Sequence, residues 1–259
     1  SGHHVAPRSS TDVNNGRFLA FGGEFGHLRV RCSSCHGLDG TGDQAGAFPR
    51  LAGQSAWYLY SNLRAFADGQ RPNPVMTPVA QELSDRQMQD VAAYYATRAG
   101  GRHEPEANQD AQLVKEGMSI AQSGAPSQGV PACSSCHGKN GAGQPPLYPF
   151  IGGQHEAYLR DQLHRFKSGA RHDDPEAVMR QIASKLTDDQ IKAVAAYYAS
   201  LTPNVATGAT IAQLMSARKA NPGMGAASKP YVGATPNPQP GHGDVVVPGA
   251  SNGGAGSGQ

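Results

Sequence analysis

Between residues 14 and 201 the apolar positions recur at helical rather than strand spacing. Leu59, Leu63 and Phe66 stand at i, i+4 and i+7, one face of a helix, and Leu159, Leu163 and Phe166 repeat that face. Met88, Val91, Ala92 and Tyr95 follow i, i+3, i+4, i+7, as do Ile191, Val194, Ala195 and Tyr198. Each of these two runs is preceded by a capping-box pattern, Ser84 with Gln87 and Thr187 with Gln190. There the hydroxyl accepts from the backbone three residues on while the glutamine reaches back to the cap. Opening helices are predicted over 14–21 and 110–122. No convincing alternation marks a strand, so the fold class predicted is all-α.

The pattern also repeats. Gly16 lies 16 positions before Cys32, as Gly117 does before Cys133. Leu51-Ala52-Gly53-Gln54 answers to Ile151-Gly152-Gly153-Gln154, and Leu83-Ser84-Asp85 to Leu186-Thr187-Asp188. Such self-similarity means tandem modules. Each reads as helix, cysteine motif, Gly/Pro-rich loop, helix, methionine loop, helix. The domains drawn from it are 8–101 and 106–201, with Gly100-Gly101 and Pro105 marking the linker. Residues 202–259 are rich in Gly, Pro, Ala and Asn and offer a short helix only at 211–220. Such a composition buries too little apolar surface to fold alone, so this tail is either disordered or orders on a partner.

Charge changes the picture by exclusion. With 22 basic against 20 acidic residues the chain has no footprint for nucleic acid or a polybasic membrane anchor. No apolar run of about 18 residues is present, so no transmembrane helix is predicted. No signal-peptide pattern appears either. Hydrophobic content is 38%, a thin core for domains of roughly a hundred residues. A buried cofactor would fill it.

The four cysteines supply that cofactor. Cys32-Ser33-Ser34-Cys35-His36-Gly37 recurs letter for letter as Cys133-Ser134-Ser135-Cys136-His137-Gly138. C-x-x-C-H is the attachment signature of a c-type haem. Two thiols three positions apart reach the two vinyl groups of one porphyrin edge, and the following His falls under the iron. A four-thiolate zinc site is the alternative, but its pairs lie about 15–20 residues apart, whereas Cys35 and Cys133 are nearly a hundred apart. A thioredoxin-like dithiol wants a βαβ setting, and structural disulfides are the remaining alternative. The expected cofactors are two covalently bound haem c. Attachment of this kind takes place on the exporting side of a bacterial membrane, so the localisation expected is periplasmic, with a leader expected to have been removed or replaced.

The repeat then filters candidates for the second axial ligand. Of ten histidines only His36 and His137 pair between modules; His27 faces Gln128, His155 faces Ser55 and His164 faces Arg64. Of six methionines Met76 pairs with Met179. Met88 pairs with Ile191 and reads as core, Met118 pairs with Arg17, and Met215 and Met224 lie in the tail. The ligand pairs expected are His36 with Met76 and His137 with Met179. Such ligation closes both iron positions and raises the potential, the design of an electron carrier. Pro49 and Pro149 are expected to supply the carbonyls that orient the two histidines. Arg71 and Arg171 are read either as partners of haem propionates or as solvated surface charges.

Two CSSCHG motifs, the (L/I)xGQ…YL…L…F…G.R segments, the methionine positions and the Leu-(Ser/Thr)-Asp…AAYYA helices together resemble the cytochrome c4 family of dihaem proteins over about residues 14 to 201. The resemblance implies two class I cytochrome c domains related by approximate two-fold symmetry, with propionate edges meeting between them. Carried over to this chain, the thioether positions are Cys32, Cys35, Cys133 and Cys136. The axial positions are His36 with Met76 and His137 with Met179. The tail departs from the family. The function implied is one-electron transfer between a quinol-oxidising cytochrome bc1-type complex or a dehydrogenase and a terminal oxidase. A second reading is a cytochrome subunit held permanently in a larger oxidoreductase or oxidase complex through its tail, and so associated with the inner membrane through that partner. A third, a dihaem peroxidase, needs an open iron position.

Overall fold

In the computed structural model, residues 11–22, 24–25, 28–43, 48–99 and 110–203 are described. The linker read at Gly100 to Pro105 and nearly all of the tail, including the short helix at 211–220, lie outside the described residues. The first module runs through α1 (Val13–Gly22), α2 (Cys32–His36), α3 (Ala56–Asp68), α4 (Met76–Gln81) and α5 (Asp85–Ala96). The second repeats it as α6 (Ala111–Ser123), α7 (Ser134–His137), α8 (Glu156–Ser168), α9 (Val178–Lys185) and α10 (Asp188–Ala199).

The helix ends follow from local chemistry. Ser84 and Thr187 each close the capping box that the sequence predicts, with Gln87 N donating to Ser84 Oγ at 3.3 Å and Gln190 N to Thr187 Oγ1 at 3.2 Å. Asp110 caps α6 by accepting from Gln112 N and Leu113 N. One feature differs from the all-helical pattern. Glu24–Phe25 pairs with Leu28–Arg29 as a two-stranded antiparallel hairpin just before the first cysteine motif. Two residues a side are too few to leave an alternation in the sequence.

Packing is equivalent in the two halves. The opening helix crosses the closing helix, α1 on α5 and α6 on α10, and α3 and α8 lie against the same closing helices. The crossing explains Gly16 and Gly117. A Cβ at Gly16 would sit 2.0 Å from the Asp90 carbonyl oxygen, and one at Gly117 would sit 2.0 Å from that of Ala193. Neither backbone can give way, so only glycine allows the approach. The predicted faces are buried: Met88, Val91, Ala92 and Tyr95 in α5, and Ile191, Val194, Ala195 and Tyr198 in α10. Leu59 and Leu63, and their counterparts Leu159 and Leu163, pack onto these clusters.

A matched loop follows each cysteine motif. Gly42 N donates to His36 O, and Leu51 N and Ala52 N both donate to Gly40 O. In the second module Gly143 N donates to His137 O, while Ile151 N and Gly152 N share Gly141 O. Gly40 and Gly141 reach this double-acceptor geometry at φ 77° and 68°, the left-handed region that glycine enters without penalty. The loop is thereby pinned, and it carries Pro49 or Pro149 back to the histidine.

Candidate functional site

Each cysteine motif forms one helical turn. Cys32, Cys35 and His36 lie on α2; Cys136 and His137 lie on α7, with Cys133 as its N-cap. The turn gathers both sulfurs and the imidazole of each module at one place. None of the four cysteines pairs with another in a disulfide. Burial pushes the Cys32 thiol up to about 11, and the Cys133 thiol also rises through burial.

The histidines are fixed as predicted. His36 Nδ1 stands 3.0 Å from the Pro49 carbonyl oxygen, and His137 Nδ1 stands 3.0 Å from that of Pro149. Both rings are buried, and desolvation holds both below the usual histidine range despite the carbonyl that opposes it. With Nδ1–H committed to a carbonyl, the neutral ring keeps a lone pair on Nε2, the form that ligates a metal. Among the described residues no hydrogen-bond partner engages either Nε2.

Met76 and Met179 sit at helix starts rather than in the loops that the sequence suggested. Met76 opens α4 and Met179 is the second residue of α9. Side chains just upstream nucleate both turns. Asn73 Oδ1 accepts from Val75 N at 2.9 Å and Met76 N at 2.8 Å, and Asp174 accepts from Arg180 N at 2.9 Å. Pro78 falls in the first turn of α4, where its missing N–H costs nothing. The α4 helix packs on α3 and α9 on α8, whereas α2 and α7 pack on the opening helices. No hydrogen bond joins Met76 to His36 or Met179 to His137.

Arg71 and Arg171 are buried, 6% and 4% exposed, which corrects the surface-charge reading. They meet at the junction of the two modules. Arg71 donates to Asn62 Oδ1 of its own module and to Tyr158 OH and Gln162 Oε1 of the other. Arg171 donates to Gln162 Oε1 of its own module and to Tyr58 OH and Asn62 Oδ1 of the first. It also pairs with Asp173, Nε to Oδ1 at 2.7 Å. Each guanidinium stacks on a phenylalanine, Arg71 over Phe66 at 4.5 Å and Arg171 over Phe166 at 4.3 Å. Burial alone would favour a neutral Arg171, but Tyr58 and Asp173 outweigh it and hold the cation. Burial would likewise raise Asp173, yet Arg171 wins and keeps its carboxyl below the usual range. Two cations face one carboxylate among the described residues here. Among these residues the cluster therefore carries an excess of positive charge.

The sequence reading missed the role of the repeated Gly-Gln step. Gln54 Nε2 donates to Phe150 O at 2.8 Å, and Phe150 N donates to Gln54 Oε1 at 3.1 Å. Reciprocally, Gln154 Nε2 donates to Arg50 O at 3.0 Å, and Arg50 N donates to Gln154 Oε1 at 2.8 Å. Each glutamine amide thus clamps the backbone of the other module like one rung of an antiparallel pair. His155, at the position of Ser55 in the first module, adds Nε2–H to Thr41 O at 2.7 Å. The one available signal was a polar pair retained at matched positions of the repeat.

The cytochrome c family profile matches residues 28–98 and 114–202. The thiosulfate dehydrogenase electron acceptor of Stutzerimonas stutzeri (strain A1501) is 39% identical over 178 residues, which are 66% of this chain and 79% of that protein. Reduced recombinant cytochrome c4 from Pseudomonas stutzeri superposes with a TM-score of 0.65 at 33% identity, over 74% of this chain and 100% of that one. Thiosulfate dehydrogenase from Marichromatium purpuratum superposes with a TM-score of 0.66 at 36% identity over 73% of this chain. This chain spans only 40% of that polypeptide. Among the described residues no helix is long and apolar enough to cross a membrane. Doubled haem-attachment motifs, two matching helical modules and these likenesses lead to one conclusion: the chain belongs to the cytochrome c4 family, electron-transfer proteins with two covalently bound haem c.

Proposed function

We propose that the protein is a periplasmic one-electron carrier in which both irons are closed by protein ligands. In this reading Cys32 and Cys35 hold one haem by thioethers, and Cys133 and Cys136 hold the other. His36 with Met76 and His137 with Met179 take the axial positions. Bound haem supplies iron that cycles between ferric and ferrous states. The chain supplies the rest. Pro49 and Pro149 fix the imidazoles, the methionine sulfurs favour the ferrous state, and the buried Arg71–Arg171 cluster receives propionate charge. The observation that carries the reading is the matched pair of histidines, each with Nδ1 held at 3.0 Å by a proline carbonyl and, among the described residues, no hydrogen-bond partner on Nε2.

The modules proposed are 8–101 and 106–201, and the proposed partners are a cytochrome bc1-type complex or dehydrogenase as donor and a terminal oxidase as acceptor. With both positions closed, carbon monoxide added to the reduced full-length protein at neutral pH leaves its visible spectrum unchanged. A stoichiometric carbonyl spectrum would overturn the closed-iron reading and favour a peroxidase.

A second reading is a subunit held permanently in a larger oxidoreductase. The likeness to a thiosulfate dehydrogenase electron acceptor and to part of a thiosulfate dehydrogenase polypeptide favours it. In that case residues 202–259 serve as the docking arm. Natively purified protein then co-elutes with a partner on size exclusion, and deletion of 202–259 abolishes the co-elution.

A further inference from the structure

The Gly-Gln step of each module touches the peptide unit that orients the other module's histidine. The peptide bond between Pro149 and Phe150 carries two relevant atoms. Its carbonyl oxygen accepts from His137 Nδ1–H at 3.0 Å, and its N–H donates to Gln54 Oε1 at 3.1 Å. The peptide bond between Pro49 and Arg50 repeats this, with His36 Nδ1 at 3.0 Å and Gln154 Oε1 at 2.8 Å. Each amide is therefore the middle link of a hydrogen-bond chain that starts on one module's histidine and ends on the other module's glutamine.

Such chains polarise along their length. When the N–H of an amide donates to a carbonyl, electron density shifts onto that amide's own oxygen, which then accepts more strongly. A stronger acceptor on Nδ1–H makes the imidazole a more basic ligand through Nε2. The clamps are also rigid: Gln54 and Gln154 are 7% exposed, and each Oε1 is held by the next backbone N–H, Ser55 N at 2.9 Å and His155 N at 3.1 Å.

We propose that Gln54 and Gln154 are positioning residues that tune the haems crosswise. Gln54, in the first module, sets the electron donation of His137 in the second, and Gln154 sets that of His36 in the first. A more electron-rich imidazole stabilises ferric iron, so loss of a glutamine raises the potential of the haem in the opposite module. The proposal rests on His36 and His137 being the axial histidines.

The test uses the full-length dihaem protein carrying Gln54→Met or Gln154→Met, which keep the side-chain length and remove the amide. Redox titration followed by NMR of the haem methyl signals gives the potential of each haem separately. Gln54→Met should shift the second haem upward and leave the first in place, and Gln154→Met should do the reverse. Equal movement of both haems, movement of the mutated module's own haem, or no movement would overturn the crosswise assignment. Should a methionine variant fail to incorporate haem, Gln54→Asn and Gln154→Asn withdraw the acceptor oxygen while keeping a polar amide, with the same crossed outcome expected. In the ferric wild-type protein, strongly shifted ring protons of both histidines check ligation independently. Their absence sinks the ligand assignment, whereas their presence with uncrossed potentials sinks the relay alone.

Discussion

The two modules share their backbone logic and differ in their charge. Both cross an opening helix over a closing helix at a glycine, both pin a histidine on a proline carbonyl, and both send a glutamine into the other half. At the junction, however, the arginines are not equivalent. Arg171 has Asp173 as an ion-pair partner with side chains 5% and 9% exposed. Among the described residues the hydrogen-bond acceptors of Arg71 are neutral, Asn62, Tyr158 and Gln162, and the loop from Pro72 to Val75 contains no acidic residue. Duplication supplied two copies of the hydrogen-bonding frame, and divergence of a few loop residues placed one carboxylate on one side of it. The frame makes the halves interchangeable; the carboxylate makes them distinguishable.

The largest expected effect comes from removing that difference. Asp173→Asn removes the one carboxylate that the described residues place beside two buried guanidinium ions, and breaking a buried pair in this way costs about 3–5 kcal/mol. Chemical denaturation of the holoprotein at neutral pH should show that loss. The pH dependence follows in sign. The Asp173 carboxyl is held low, so its contribution is complete above the ordinary carboxylate range and fades as pH falls through the lowered value. Wild type and variant should therefore converge in strong acid. A constant gap between them would mean that the charge of Asp173 is not what matters.

The smallest effect tests equivalence. Ser84→Ala and Thr187→Ala each remove one of two matching capping boxes and should each cost about 1 kcal/mol. Strongly unequal losses in thermal unfolding would show that the closing helices do not contribute alike.

Local chemistry was legible in the sequence and non-local chemistry was not. The capping boxes, the buried faces of α5 and α10, the haem motifs and the Pro49 and Pro149 carbonyls all depend on residues within a dozen or so positions of one another. The Gly-Gln step was visible as a repeat, but its partners lie 96 and 104 positions away, and no periodicity reports a contact of that range. For the same reason the sequence leaves Arg71 and Arg171 open between propionate partners and surface charges, since their burial depends on tyrosines across the junction. The start of α4 is hidden by Pro74, which reads as loop; Asn73 Oδ1, accepting from Val75 N and Met76 N, turns the chain into the helix.

The central claim is that both modules hold a closed His/Met iron, so that the halves differ in tuning and not in coordination. It is tested most directly by the red charge-transfer band of the ferric protein, the signature of sulfur bound to haem iron, in Met76→Ala and Met179→Ala. Each variant should lose about half of the band and lower the potential of one haem, in keeping with a thioether ligand that raises it. A full-strength band in either variant would contradict the assignment of that methionine and, with it, the equivalence of the two sites.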